Sequence, residues 1–208
     1  LTCLLPLCGP ADDGPGKQTV NKGKVQRMAY ETDPEIDALI VVDVQKDFCP
    51  GGALPVPDGD AVVPVLNRWL EQTDMLAVAT RDWHPPDHCS FEAQGGPWPP
   101  HCVRETEGAE FHDDLKTEAI DRIISKATRE DREAYSGFDS PELLPLLREN
   151  DVERLWVGGL AAEYCVRETV LAGCEEGFEV AVIRDAVRGI EAEEGDVADA
   201  LEEMQNAE

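Results

Sequence analysis

Five short hydrophobic runs constrain this chain more than anything else in it. They are ALIVVDV (Ala38–Val44), MLAVAT (Met75–Thr80), DRIISKA (Asp121–Ala127), ERLWVGG (Glu153–Gly159) and FEVAVIRDA (Phe178–Ala186). The first is apolar on consecutive positions, as in a strand covered on both faces. The others read as further strands. Between them lie segments with helical spacing. Asp60–Gln72 follows an Asp placed to cap it. Ser140–Asn150 carries Pro in its first turn. Glu163–Cys174 and Asp196–Met204 complete the set. Strand and helix in alternation predict parallel strands joined by crossover helices. The expected fold is a three-layer α/β sandwich, with a central, mostly parallel sheet flanked by helices.

In such sheets ligands sit beyond the C-terminal strand ends. The first strand ends at Asp43, the second runs into Arg81 and Asp82, the third ends at Lys126, and the fourth feeds the turn to Cys165. One rim thus collects an acid, a metal-like cluster, a lysine and a cysteine. No GxGxxG follows the first strand and no GxxxxGK[ST] occurs, so dinucleotide binding and phosphoryl transfer lose their usual signals.

Residues 1–34 are rich in Gly, Pro and polar residues and read as a loose arm; 35–208 read as one domain. The opening LTCLLPLCGP lacks a basic start and does not read as a secretion signal. No apolar run is long enough to span a membrane. Asp and Glu number 44 against 18 Lys and Arg, a formal charge of −26, which argues against a nucleic-acid partner. Only six of the basic residues are Lys, a pattern that also fits a salty milieu. Seven cysteines without a CxxC pair suggest free thiols in a reducing compartment, the cytoplasm.

Cys165 lies near a helix N-terminus. There, unpaired N–H groups are expected to lower a thiol pKa and to hold an oxyanion. It reads equally as a buried core thiol. Asp43, at the edge of an apolar core, should have a raised pKa suited to proton transfer. Asp47 competes for that role but reads better as a brace of its turn. Lys126 either snorkels to water or holds nearby negative charges in place.

The stretch from Arg81 to Glu118 is long and poorly periodic, which is uncommon without a function. Its segments RDWHPPDHCS and GGPWPPHC hold Asp82, His84, His88 and His101, three of the chain's four histidines. Asp82 and His84 are two apart in an extended segment and can point the same way. Two imidazoles and a carboxylate suit Zn²⁺ or Fe²⁺, or Mn²⁺ with more oxygen ligands. The competing reading is a hydrogen-bonded loop network. His88 reads as a fourth ligand, a support, or neither. Phe48, Trp98 and Tyr135 lie close to these pieces and together would wall a slot for a small aromatic ring.

The stretches VVDVQKDFCPGGAL, TRDWHP, HCSF, WPPHCV, SKA, YSGF, VGGLAAEYCVRETVLAG and DAVRGI span about residues 36–204. As a set they resemble the isochorismatase-like cysteine hydrolases, the family that includes nicotinamidases. The resemblance implies a catalytic triad of Asp43, Lys126 and Cys165, and a metal held by Asp82, His84 and His101. It implies a cis peptide at Leu160–Ala161, and oxyanion donors at the N–H of Ala161 and Cys165. It implies one divalent ion, Zn²⁺ ahead of Fe²⁺ or Mn²⁺, and hydrolysis of a small molecule, nicotinamide, to nicotinate and ammonia. A related amidase for a carbamoyl or ureido substrate, or a non-catalytic scaffold, are the alternatives. The chain departs from the family pattern at Glu163 (often Asp), Lys46 (often Asn) and Ala127 (often Gly). A further short strand, usual in relatives after the last helix, has no counterpart in LEEMQNAE.

Overall fold

The computed structural model describes residues 31–207. Five strands form one sheet: β1 (Asp37–Val42), β2 (Leu76–Asp82), β3 (Arg122–Lys126), β4 (Arg154–Gly159) and β5 (Glu179–Val187). The order is β3-β2-β1-β4-β5 and every pairing is parallel. Among the described residues no strand follows the last helix.

Alternation along β1 builds both cores. Leu39 and Val41 face one side with Leu66, Trp69 and Leu70 of α1 (Val63–Gln72). Ala38, Ile40 and Val42 face the other, against α2 (Leu143–Glu149), α3 (Arg167–Glu175) and α4 (Asp196–Asn206). The result is the expected three-layer sandwich.

Local boundaries differ from the sequence reading for physical reasons. The first strand stops at Val42, because Asp43 takes a left-handed φ of 49°. Asp60 does not cap α1. It lies inside a short 3-10 turn, Gly59–Val62, and α1 begins after it with Pro in its first turn. Gly159 ends β4 at φ 137°, where a Cβ would lie 2.0 Å from Val42 O, so only glycine fits.

The expected arm lies outside the described residues except for 31–34, where Asp33 O accepts the N–H groups of Ile36 and Asp37. Among the described residues no helix is long and apolar enough to cross a membrane. Cys49, Cys89, Cys102 and Cys165 are free thiols as expected. Cys174, at the far end of α3 from Cys165, is disulfide-bonded, which corrects the free-thiol reading there. Cys3 and Cys8 lie outside the described residues.

Candidate active site

The sheet reverses direction around β1: β2 and β3 run off to one side, β4 and β5 to the other. A crevice at the C-terminal ends follows from that order. Register then sets the neighbours. Asp82 pairs with Lys126 across β2 and β3, while Val42 pairs with both Thr80 and Gly159.

Lys126 is the centre. Its Nζ is 2.5 Å from Asp82 Oδ1, 2.9 Å from Asp43 Oδ2, and 3.3 Å from both Cys165 Sγ and Ala134 O. Four acceptors therefore compete for three ammonium protons. The Asp43 contact is an ion pair without hydrogen-bond alignment, which leaves Oδ2 open to a proton. Asp43 Oδ1 accepts from Thr80 Oγ1 at 2.7 Å and is fixed by it.

Burial dominates the acid–base balance. It lifts the Asp43 carboxyl, and Asp82 adds to this, while Lys126 only partly offsets them. Burial alone would also lift Asp82, but Lys126 and His84 hold it well below the usual carboxylate range. Desolvation would discharge Lys126, yet the two carboxylates keep its ammonium well above the ordinary value. Cys165 corrects the sequence reading. Burial pushes its thiol up despite Lys126, so it rests protonated and needs a base. Its helix does not begin as a regular α-helix either: a π-helical turn, Ala162–Val166, precedes α3.

That turn follows a cis peptide at Leu160–Ala161, as expected. Ala161 O accepts the N–H groups of Tyr164 and Val166, both at 3.1 Å. Among the described residues nothing accepts from the Ala161 N–H.

The second cluster adjoins the first through Asp82. One ligand atom each from Asp82, His84 and His101 falls within 4.8 Å of the others, and all three residues are buried. Both ring nitrogens of His84 are buried without a hydrogen-bond partner, and its Nε2 lies 3.6 Å from Asp82 Oδ2. His101 Nδ1 donates to Pro99 O at 2.8 Å, which leaves a lone pair on Nε2. Burial keeps its imidazole neutral by lowering its pKa. The two unpartnered nitrogens of His84 and the open Nε2 of His101, beside the Asp82 carboxylate, form a divalent-cation cluster.

His88 is different. Its Nε2 donates to Arg132 O at 3.0 Å and its Nδ1 takes the Ser90 hydroxyl at 2.7 Å. With both nitrogens occupied it stands beside the cluster, its ring 4.3 Å from that of His84. The DxH loop is thus both cation cluster and hydrogen-bonded network.

Phe48 packs on His101 at 5.5 Å between centroids. Trp98 Nε1 donates to Tyr135 Oη at 3.0 Å, so these two walls are joined. Three participants escaped the sequence reading. Tyr164 packs edge-on against Trp98 at 5.1 Å and reaches Tyr135 at 6.0 Å. Phe91 lies among the rings of His84, His88 and His101 at 5.3–5.8 Å. Gln45, fully buried, accepts the Asp82 N–H at 2.8 Å and donates to Asp82 O and Ala109 O at 2.8 and 2.9 Å. Its amide extends the β1–β2 ladder by side chain. Asp47 braces its turn as expected, accepting the N–H groups of Cys102 and Ala53. Ala127, where the resemblance implies glycine, takes φ 52°, in the left-handed region that favours glycine.

The Isochorismatase domain family matches residues 37–208. A nicotinamidase from Escherichia coli is 38% identical over 82% of this chain and 91% of its own length. The structure of a Pyrococcus horikoshii pyrazinamidase in complex with zinc is 53% identical, with TM-score 0.77, over 82% of this chain and 95% of its own. PnC1 from L. infantum, solved in complex with nicotinate, is 34% identical with TM-score 0.82, over 86% of this chain and 93% of its own.

Proposed function

The chain belongs to the isochorismatase family of hydrolases, and on that premise we propose that it hydrolyses nicotinamide to nicotinate and ammonia through a thioester on Cys165. It is an amidohydrolase of the nicotinamidase type. The observation that carries the residue roles is the position of Lys126 Nζ, in contact with Asp43, Asp82 and Cys165 together. The family match over 37–208 supports 35–208 as one catalytic unit. The cytoplasm is the compartment we favour: its reducing pool keeps Cys165 a thiol and would expose the Cys174 disulfide to reduction.

The metal we favour is Zn²⁺, supported by the donor set of Asp82, His84 and His101 and by the zinc in the related pyrazinamidase. When bound there, the ion supplies a Lewis-acid site for the ring nitrogen of the substrate. Phe48 on one side, and Trp98 with Tyr135 and Tyr164 on the other, would hold the aromatic ring.

Asp43 takes the proton of the Cys165 thiol, and sulfur attacks the amide carbon. This transfer moves a proton between two neighbours and leaves the net charge of the buried cluster unchanged. That matters where every uncompensated charge is costly. The carbonyl electron pair moves to oxygen, against the N–H groups of Ala161 and Cys165. The C–N bond breaks as Asp43 returns its proton to nitrogen, releasing ammonia and leaving the thioester. Asp43 then takes a proton from water, whose oxygen attacks the same carbon. Collapse breaks the C–S bond, and the proton returns to sulfur. Throughout, Lys126 holds Asp43 and sulfur in register.

The test is ammonia release from nicotinamide by metal-loaded protein, beside the Cys165→Ala variant. Cys165-dependent release supports the reading. Folded, metal-loaded protein that releases none moves the substrate to a carbamoyl or ureido amide.

A further inference from the structure

The turn that carries Cys165 is held from behind by a segment the reaction itself does not use. Ala162 N–H donates to Arg188 O at 2.9 Å, and Glu191 N–H donates to Glu163 Oε1 at 2.8 Å. Ala162 and Glu163 stand between Ala161 and Cys165, whose N–H groups face the oxyanion in the mechanism above. Glu191 is committed on its other side. Its two carboxylate oxygens accept the N–H groups of Gly195 and Val197 at the start of α4. A continuous path therefore runs from α4, through Glu191 and Glu163, to the nucleophile turn.

Glu163 is an expensive way to make one bond. It is only 6% exposed, and its Oε2 is buried with no partner. Burying a carboxylate with a single donor is costly, and an apolar side chain would fill the space at lower cost. The surroundings are shaped around it: a Cβ on Gly189 would lie 2.3 Å from Oε2. Glycine at 189 leaves the room that the carboxylate occupies.

We propose that Glu163 is a positioning residue. Its bond to the Glu191 N–H, together with the Ala162–Arg188 bond, fixes the Ala161 and Cys165 N–H groups where negative charge develops on oxygen. This rests on the thioester mechanism, because the role exists only if an oxyanion forms there.

The test uses metal-loaded Glu163→Ala, Glu163→Asp and Glu163→Gln. Each is measured for kcat, KM, metal content, thermal unfolding and affinity for pyridine-3-carboxaldehyde. The Cys165 thiol adds to the aldehyde carbon: an S–C bond forms, the C=O electron pair moves to oxygen, and the thiol proton passes to Asp43 or to that oxygen. The adduct reads the oxyanion donors without a leaving group. Glu163→Ala is expected to lower kcat and aldehyde affinity in parallel, by about ten- to a hundredfold, with KM and metal content unchanged. Glu163→Asp, one methylene short, falls between. Glu163→Gln keeps the acceptor and rescues most of the loss. Aldehyde affinity equal to wild type per folded molecule in the Ala variant overturns the role. If that variant does not fold, equal values for the Asp and Gln variants overturn it instead. Failure of the substrate reading is separate. Wild type inert on nicotinamide refutes that substrate, whereas protection of Cys165 from alkylation by an aliphatic aldehyde still ranks the Glu163 variants.

Discussion

The two ends of the sheet each bury a carboxylate beside a cation, and they treat it in opposite ways. At the N-terminal end, Asp37 has every lone pair it needs engaged. Arg154 Nε and Nη2 approach at 2.8 and 2.7 Å, Trp156 Nε1 at 2.9 Å and the Asp33 N–H at 2.9 Å. One acid meets one base, with hydrogen bonds to spare. At the C-terminal end, two carboxylates and a thiol share one ammonium, and Asp43 Oδ2 and both His84 nitrogens lack hydrogen bonds. The same ingredients make a rivet when satisfied and a reaction centre when not.

The largest effect that would break this contrast comes from the unsatisfied end. Cys165→Ala and Asp43→Asn should each lower kcat by at least about 10³-fold, with thermal stability and metal content retained. A normal burst of ammonia from Asp43→Asn would refute its role as base.

Next comes His84→Ala. It should strip the metal and raise KM for nicotinamide; unchanged metal content by elemental analysis removes His84 from the ligands. His88→Ala is the matched control. Its nitrogens are already engaged, so it should keep one metal per chain and lose about 1 kcal/mol of stability in denaturant titration.

At the satisfied end, Arg154→Met should do the reverse of the active-site changes. It leaves Asp37 buried without its cation and should cost about 2–4 kcal/mol in denaturant titration, with kcat unchanged. A fall in kcat per folded molecule would mean that the two ends are coupled.

The smallest effect is in pH. Asp43 is raised, so the acid limb of kcat/KM should have its midpoint above the ordinary carboxylate value of about 4. A midpoint at or below that value contradicts the shift. The sign for stability follows. Asp43's contribution is full below the unfolded carboxyl's pKa and lost as pH rises through its folded one. Asp82, held low, contributes above the unfolded pKa and loses this only as pH falls through its folded value.

Much of this centre was legible from strand ends alone. Asp43, Lys126 and Cys165 each close an apolar run or its turn, and parallel topology must bring such positions to one rim. Asp82 and His84 were legible by alternation. Gln45 was not. A glutamine in a turn carries no spacing signal, and its partners lie 37 and 64 residues away. Tyr164 and Phe91 escaped for the same reason, because their walls exist only after the long loop folds back. The thiol pKa of Cys165 was read in the wrong direction. A sequence marks a helix terminus but not the depth at which it sits, and burial outweighs the terminus at Cys165.

Asp82 has one oxygen on Lys126 and the other turned toward His84. That gives the site a shared wall, and it limits how the enzyme can be re-engineered. A softer ligand at 82, chosen to change ion preference, would also take a countercharge from the lysine that orders Asp43 and Cys165. Retuning the metal by way of His84 or His101 leaves that lysine alone. With the ligands and nucleophile proposed above, ion choice and nucleophile geometry would be separable at His84 and His101 and inseparable at Asp82.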